Sequence, residues 1–190
     1  EEMENGCVFC DRSKLEERLI YESKDFYVVA TLGQITDGGY VLLIPKEHIP
    51  CMGAIAPAHT IVMLELAKDI CRALSHEYCH STSSIYPVTF FEHGIVGQTV
   101  KHTHLHLLPA DIDFTPKIYA DFPAAEFEEL QRITDLQEFY DECREPYLFW
   151  SAPNIKTMVC WNPPAPSQYL RLVAAELLGR PERGNWRNMD

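Results

Sequence analysis

No run in this chain approaches the roughly 20 consecutive apolar residues of a membrane-spanning helix, so the sequence offers no candidate span. Basic charge is also scarce: 16 Lys and Arg stand against 28 Asp and Glu, a formal charge of −12 at pH 7. A nucleic-acid surface normally needs clustered cations on the phosphates, so this balance argues against DNA or RNA as a partner. A small anionic substrate remains compatible, because a local pocket can oppose the field of the whole molecule. The opening EEMENGCVFC has no basic stretch followed by an apolar one. It reads as carrying no secretory signal, and a cytoplasmic protein is expected. Internal repeats and low-complexity tracts are missing as well. The seven cysteines are an odd number, which weakens a disulfide framework. Cys71 and Cys79 fall in or near a helical stretch and read as free, partly buried thiols.

What is present suffices for one core with elaborations, since 46% of the 190 residues are hydrophobic. Residues 18–32 hold two short β-forming runs, IY and FYVVA, around an SKD turn. ITDGG reads as a turn, and YVLLIP as a buried strand stopped by Pro45. A helix is predicted from Pro57 to about Tyr78, with Ile61, Leu64, Ala67, Cys71 and Leu74 as its apolar stripe. YPVTFFEH and VKHTHLHLLP follow as strands, separated by the glycine-marked loop GIVGQ. This order points to an α+β domain with a mainly antiparallel sheet and a long helix. Residues 1–110 are read as that domain, and 111–190 as a folded C-terminal extension packed on it. In the extension an acidic helix is expected over 124–132, and strands at YLFW and KTMVCW. A last helix, QYLRLVAAELL, has Ser167 as expected N-cap and Gly179 as expected stop.

Chemistry concentrates in a few places. His102, His104 and His106 stand two apart, so on a strand all three imidazoles would share one face, opposite Leu105 and Leu107. Such a triplet on its own also admits the reading of a solvated strand face. Cys7 and Cys10, with two residues between them, suit one tetrahedral metal, but supply only two of its four ligands. His48 follows the strand YVLLIP in the spacing IPKEH, and Gly97-Gln98-Thr99 precede the histidine run. Together, CVFC, GGYVLLIPKEHI, FFEHG and GQTVKHTHLHLLP resemble the histidine triad superfamily of nucleotide hydrolases and transferases. The resemblance spans roughly residues 7–110.

The resemblance implies that His104 is the nucleophile, forming a covalent nucleotidyl-histidine at an α-phosphate. His106 would hold phosphate charge, with Gln98 and Thr99 contacting its oxygens. An imidazole suits attack because its ordinary pKa near ~6.5 lets one ring be neutral beside a protonated neighbour. Transferases of the superfamily typically carry glutamine at the last triad position, so histidine at 106 favours hydrolysis. The implied metal is a structural zinc on Cys7, Cys10, His48 and His102. A small nucleotide is the implied partner, and a homodimer is plausible for the family. Glu92 is a candidate for positioning a triad backbone group or contacting substrate, and His93 reads as a structural hydrogen-bonding residue. His59, His76 and His80 are read as solvent-facing. One position departs from the pattern: Leu32 stands where the family often has a ribose-binding Asn or Asp, with Thr31 or Gln34 as substitutes. Trp150, Trp161, Tyr169 and Trp186 are aromatics of the extension, expected mostly in its core.

Overall fold

The computed structural model describes residues 6–78 and 86–189, so Cys79, His80 and the STSS segment lie outside the described residues. The fold is α+β. Eight strands form one sheet: β1 Leu19–Glu22, β2 Phe26–Ala30, β3 Val41–Pro45, β4 Thr89–Gly94, β5 Leu105–Leu108, β6 Glu126–Leu130, β7 Tyr147–Ser151 and β8 Thr157–Trp161. Their order is β1-β2-β3-β5-β4-β7-β8-β6, and every pairing is antiparallel. Residues beyond 110 therefore continue the same sheet, through the pairing of β7 with β4.

Side-chain alternation sets the two faces. Leu43, Leu105, Leu107, Tyr147 and Phe149 point into a core covered by helix α1, Pro57–Tyr78. Phe91, Leu148 and Trp150 point the other way, under α2 (Thr115–Asp121) and α4 (Tyr169–Leu177). The buried stripe of α1 runs Thr60, Met63, Ala67, Cys71 and Leu74. Ile61 is half-exposed instead, because the first turn is rotated about one residue from the expected stripe.

Two other expectations are corrected. The segment 124–132 is not an acidic helix but holds strand β6, paired with β8 at the sheet's edge. The histidine run is not strand throughout. In β5, Leu105, His106 and Leu107 pair with β3 opposite Leu43, Leu42 and Val41. Two residues further the partner would be Pro45, which has no N–H to give the ladder. The chain peels away before that point: Thr103 N–H donates to the Ile49 carbonyl (2.7 Å) rather than to β3. His102 and His104 consequently stand on an irregular segment, and only His106 is on the strand. Helix α3, Asp135–Cys143, packs beside the 3-10 turn at Met52–Ala54. Before α4, Gln168 rather than Ser167 holds the cap position, with φ +64° and no side-chain capping bond. Gly179 ends that helix at φ +69°, as expected.

Candidate functional site

The N-terminal CVFC segment lies against the exit of β3 and the irregular segment before β5. Cys7, Cys10, His48 and His102 each aim one ligand atom at a common centre, and these four atoms lie within 4.8 Å of one another. Cys7 Sγ is 3.6 Å and Cys10 Sγ 3.5 Å from the same His102 Nδ1, and Cys10 Sγ is 3.2 Å from His48 Nδ1. Tetrahedral zinc, with Zn–S about 2.3 Å and Zn–N about 2.1 Å, sets S···N edges at roughly 3.6 Å. One imidazole lone pair cannot accept from two thiols at once, so a shared cation accounts for this convergence better than S–H bonds do. His102 Nε2 donates to the Pro45 carbonyl (2.8 Å), which fixes the tautomer and leaves Nδ1 unprotonated toward the sulfurs. The four residues can hold a metal ion.

Beside this cluster the other two triad rings stand on the wall of a cavity of about 560 Å³. His104 Nδ1 donates to the His102 carbonyl (2.7 Å), so Nε2 is the nitrogen with a lone pair. Burial pushes the His104 pKa down to about 4 and keeps the ring neutral. Phe9, from the CVFC segment, meets the His104 and His102 rings edge-on at 5.1 and 5.8 Å. His106 stacks flat on Phe91, with ring centres 4.4 Å apart, and its Nδ1 lies 2.6 Å from the Tyr40 hydroxyl. Burial pushes that phenol up to about 12, so it stays protonated and can donate to Nδ1. The proton of a neutral His106 is then on Nε2, which is buried and has no partner. One ring offers a lone pair and its neighbour an N–H.

The histidines of this geometry sit inside a recognisable segment, and Cys7, Phe9 and Cys10 just before it. Residues 12–112, more than half of the chain, match the family model described as HIT domain. The chain belongs to the HIT family. A similar curated protein is the nitrilase and fragile histidine triad fusion protein NitFhit of Caenorhabditis elegans, 30% identical over 93 residues. The alignment covers 49% of this chain but 20% of that protein, so this chain spans about a fifth of its relative's length. Among solved structures, a HIT family protein from Bacillus anthracis is 24% identical with a TM-score of 0.47, covering 57% of this chain and 76% of its own. A zinc-bound histidine triad family protein from Mycobacterium smegmatis is 26% identical with a TM-score of 0.45, covering 55% and 75%. A Streptococcus mutans protein covers 76% of this chain and 88% of its own, at 22% identity and a TM-score of 0.48.

Other residues of the HIT segment fall in distinct places. Thr99 lines the cavity with His104 and His106. Gln98 is outside that wall, donating from Nε2 to the Pro50 carbonyl (2.7 Å), with Oε1 buried and unpartnered. Leu32 lines the cavity half-exposed. Gln34 is spent on its own loop, accepting from Tyr40 N–H (2.9 Å) and donating to the Tyr40 carbonyl (2.8 Å). The Thr31 hydroxyl reaches that carbonyl too (3.3 Å). Glu92 is away from the cavity: it accepts from Met52 N–H, the Thr103 hydroxyl and the Tyr147 hydroxyl. His93 accepts from Leu170 N–H (3.0 Å), and His59 and His76 are exposed. Trp150 and Tyr169 are core, whereas Trp186 reaches the cavity with Gln168, Arg171 and Arg187. Phe9, Tyr40 and Phe91 carry no sequence signal of this role. Arg171 alone offers a hint, as the one charge inside the apolar run YLRLVAA.

Proposed function

We propose that the chain is a nucleotide hydrolase acting at the α-phosphorus of a nucleoside phosphoramidate, dinucleoside polyphosphate or related nucleotide. The observation that carries this reading is the complementary pair on one cavity wall: His104 with its lone pair on Nε2, and His106 with a buried, unpartnered Nε2. The His104 lone pair attacks phosphorus, a P–N bond forms, and the bond to the leaving group breaks with its electron pair on that group. The leaving group takes its proton from water. A second water then attacks phosphorus, the P–N electron pair returns to Nε2, and a nucleoside monophosphate departs. His106 Nε2–H donates to a non-bridging oxygen whose charge grows in the transition state. In this reading Thr99, on the same cavity wall, bonds the same phosphoryl group, and Phe9 covers His104 from bulk water.

In the same reading, zinc on Cys7, Cys10, His48 and His102 is structural, because four protein ligands leave no open position. It holds the His102 backbone, and through that carbonyl it orients His104. In His104→Ala, turnover and covalent labelling by a nucleotide both vanish. Intact mass spectrometry of a quenched reaction reads the adduct directly, and retained turnover in that variant refutes the mechanism. A nucleoside diphosphate formed only when inorganic phosphate is added would instead mark a phosphorylase.

A further inference from the structure

Four cations line the cavity of the proposed active site: Lys14, Arg18, Arg171 and Arg187. Glu17 is the single carboxylate on that wall. None of the four is in a salt bridge among the described residues, unlike Arg12, Lys46, Arg180 and Arg183, and the exposed Lys24 and Lys101 are in none either. In a chain of net charge −12, unpaired cations have collected where the triad opens.

Arg171 is the informative one. It is 4% exposed, so its charge has lost nearly all its water. Its donors go to backbone carbonyls, Nε to Gly184 (3.0 Å), and Nη2 to Gly33 (2.8 Å) and Arg183 (3.5 Å), with the neutral Tyr40 hydroxyl beside it and no carboxylate. Its guanidinium carbon sits 5.1 Å from the centre of the Tyr40 ring, the residue that bonds His106. Carbonyl oxygens satisfy hydrogen-bond geometry but do not neutralise the charge, and a buried, uncompensated cation is costly. Arg18 repeats the pattern: half-buried, it donates Nη1 to the Ala30 carbonyl (2.9 Å). Arg187 lies against Trp186, 5.0 Å from that ring's centre.

The reacting phosphoryl group of a substrate esterified on one side carries about one negative charge, which leaves this wall in excess. We propose that the cavity holds a second anion subsite, built by Arg171 and Arg187 of the C-terminal segment with Arg18. It takes a further phosphate group of the substrate, beyond the one attacked. Arg171 and Arg187 lie beyond residues 12–112, so two of the three cations come from this chain's extension, and Arg18 comes from the HIT segment. The inference rests on the proposed site and selects, among its candidate substrates, those with additional phosphate charge.

The test uses binding, so that it does not depend on turnover. In the full-length His104→Ala protein, without divalent metal in the buffer, AMP and ATP are titrated by calorimetry. ATP is expected to bind roughly tenfold or more tightly than AMP, with a steeper loss of affinity in salt. Adding Arg187→Met or Arg18→Met should shrink the ATP-to-AMP ratio several-fold. Arg187 is exposed and Arg18 only half-buried, so these variants keep the test open if Arg171→Met does not fold. Equal affinity for AMP and ATP, or a ratio unmoved by both substitutions, overturns the subsite. Turnover of a phosphoramidate by the unsubstituted protein reports separately on the proposed function.

Discussion

Glu92 carries three hydrogen bonds on a fully buried carboxyl group: from Met52 N–H at 2.7 Å, Thr103 Oγ1 at 2.5 Å and Tyr147 Oη at 2.6 Å. Loss of water pushes its pKa up to about 7 against the pull of those donors. Through Thr103, which stands between His102 and His104, the group fixes the irregular segment that presents His104. Tyr147 is the hub, since its hydroxyl also accepts from Gly53 N–H (2.9 Å). Gly94 is what lets that ring lie flat on β4, because a Cβ at 94 would fall on the ring carbons of Tyr147. The ring is fully buried and tied at its hydroxyl, so it cannot move aside. Gly94→Ala should therefore destabilise the fold by about 3 kcal/mol, at the upper end of an overpacked core. Denaturant melts measure this, and a loss under about 1 kcal/mol would show that the ring relaxes.

At the scale of elements, periodicity was a good guide where an element buries one face against its neighbours. Helix α1 begins and ends as expected, FYVVA and YLFW lie in strands, and YVLLIP and KTMVCW do so from their second residue on. It failed where pairing overrides local preference. EFEEL has the composition of a helix, since Glu and Leu are good helix formers. Yet it closes the sheet as edge strand β6, with Trp161 donating to Glu128 and Lys156 paired with Glu129. Charges on an edge strand also discourage further pairing. The period of two in KHTHLHLL suggested three equivalent imidazoles, and the proline at the end of β3 is what breaks that equivalence. His102 thereby turns to the CVFC segment, whose hold on β3 and β5 depends in this reading on the metal. The expectation is about one zinc per chain by elemental analysis. Cys7→Ser and His48→Ala should each lose the metal and lower the melting temperature together with chelator-treated protein. A metal-free native protein of unchanged melting temperature would refute the zinc assignment.

Over the whole molecule, the distant parts of the cavity were the least legible, because only tertiary folding brings residues 168–187 to the triad. His93 is one of the fixed points of that docking. It sits on β4 and accepts the Leu170 N–H of α4, while Gly97, whose carbonyl accepts from Gln168 N–H, leaves room for the imidazole. A Cβ at 97 would lie 2.8 Å from His93 Cδ2. To accept that bond at Nε2 the ring must be neutral, and burial pushes its pKa down to about 3. In the unfolded chain the same ring titrates near ~6.5. The unfolded state therefore binds a proton between these two values that the folded state refuses. Stability from this group is full above about pH 6.5 and falls as pH drops toward 3, by roughly 1.4 kcal/mol per unit. Glu92 works in the opposite sense, since its raised pKa makes stability fall as pH rises from about 4.5 toward 7. The two partly cancel in mildly acid solution, and His93 prevails below the carboxyl's ordinary range. In His93→Gln the amide oxygen can accept the Leu170 N–H without titrating, so the acid limb should become shallower by one proton. Denaturant melts of both proteins from pH 7 to 4 measure the difference in slope. Identical proton uptake in the two would mean that His93 opens to solvent and does not hold the start of α4 on the sheet.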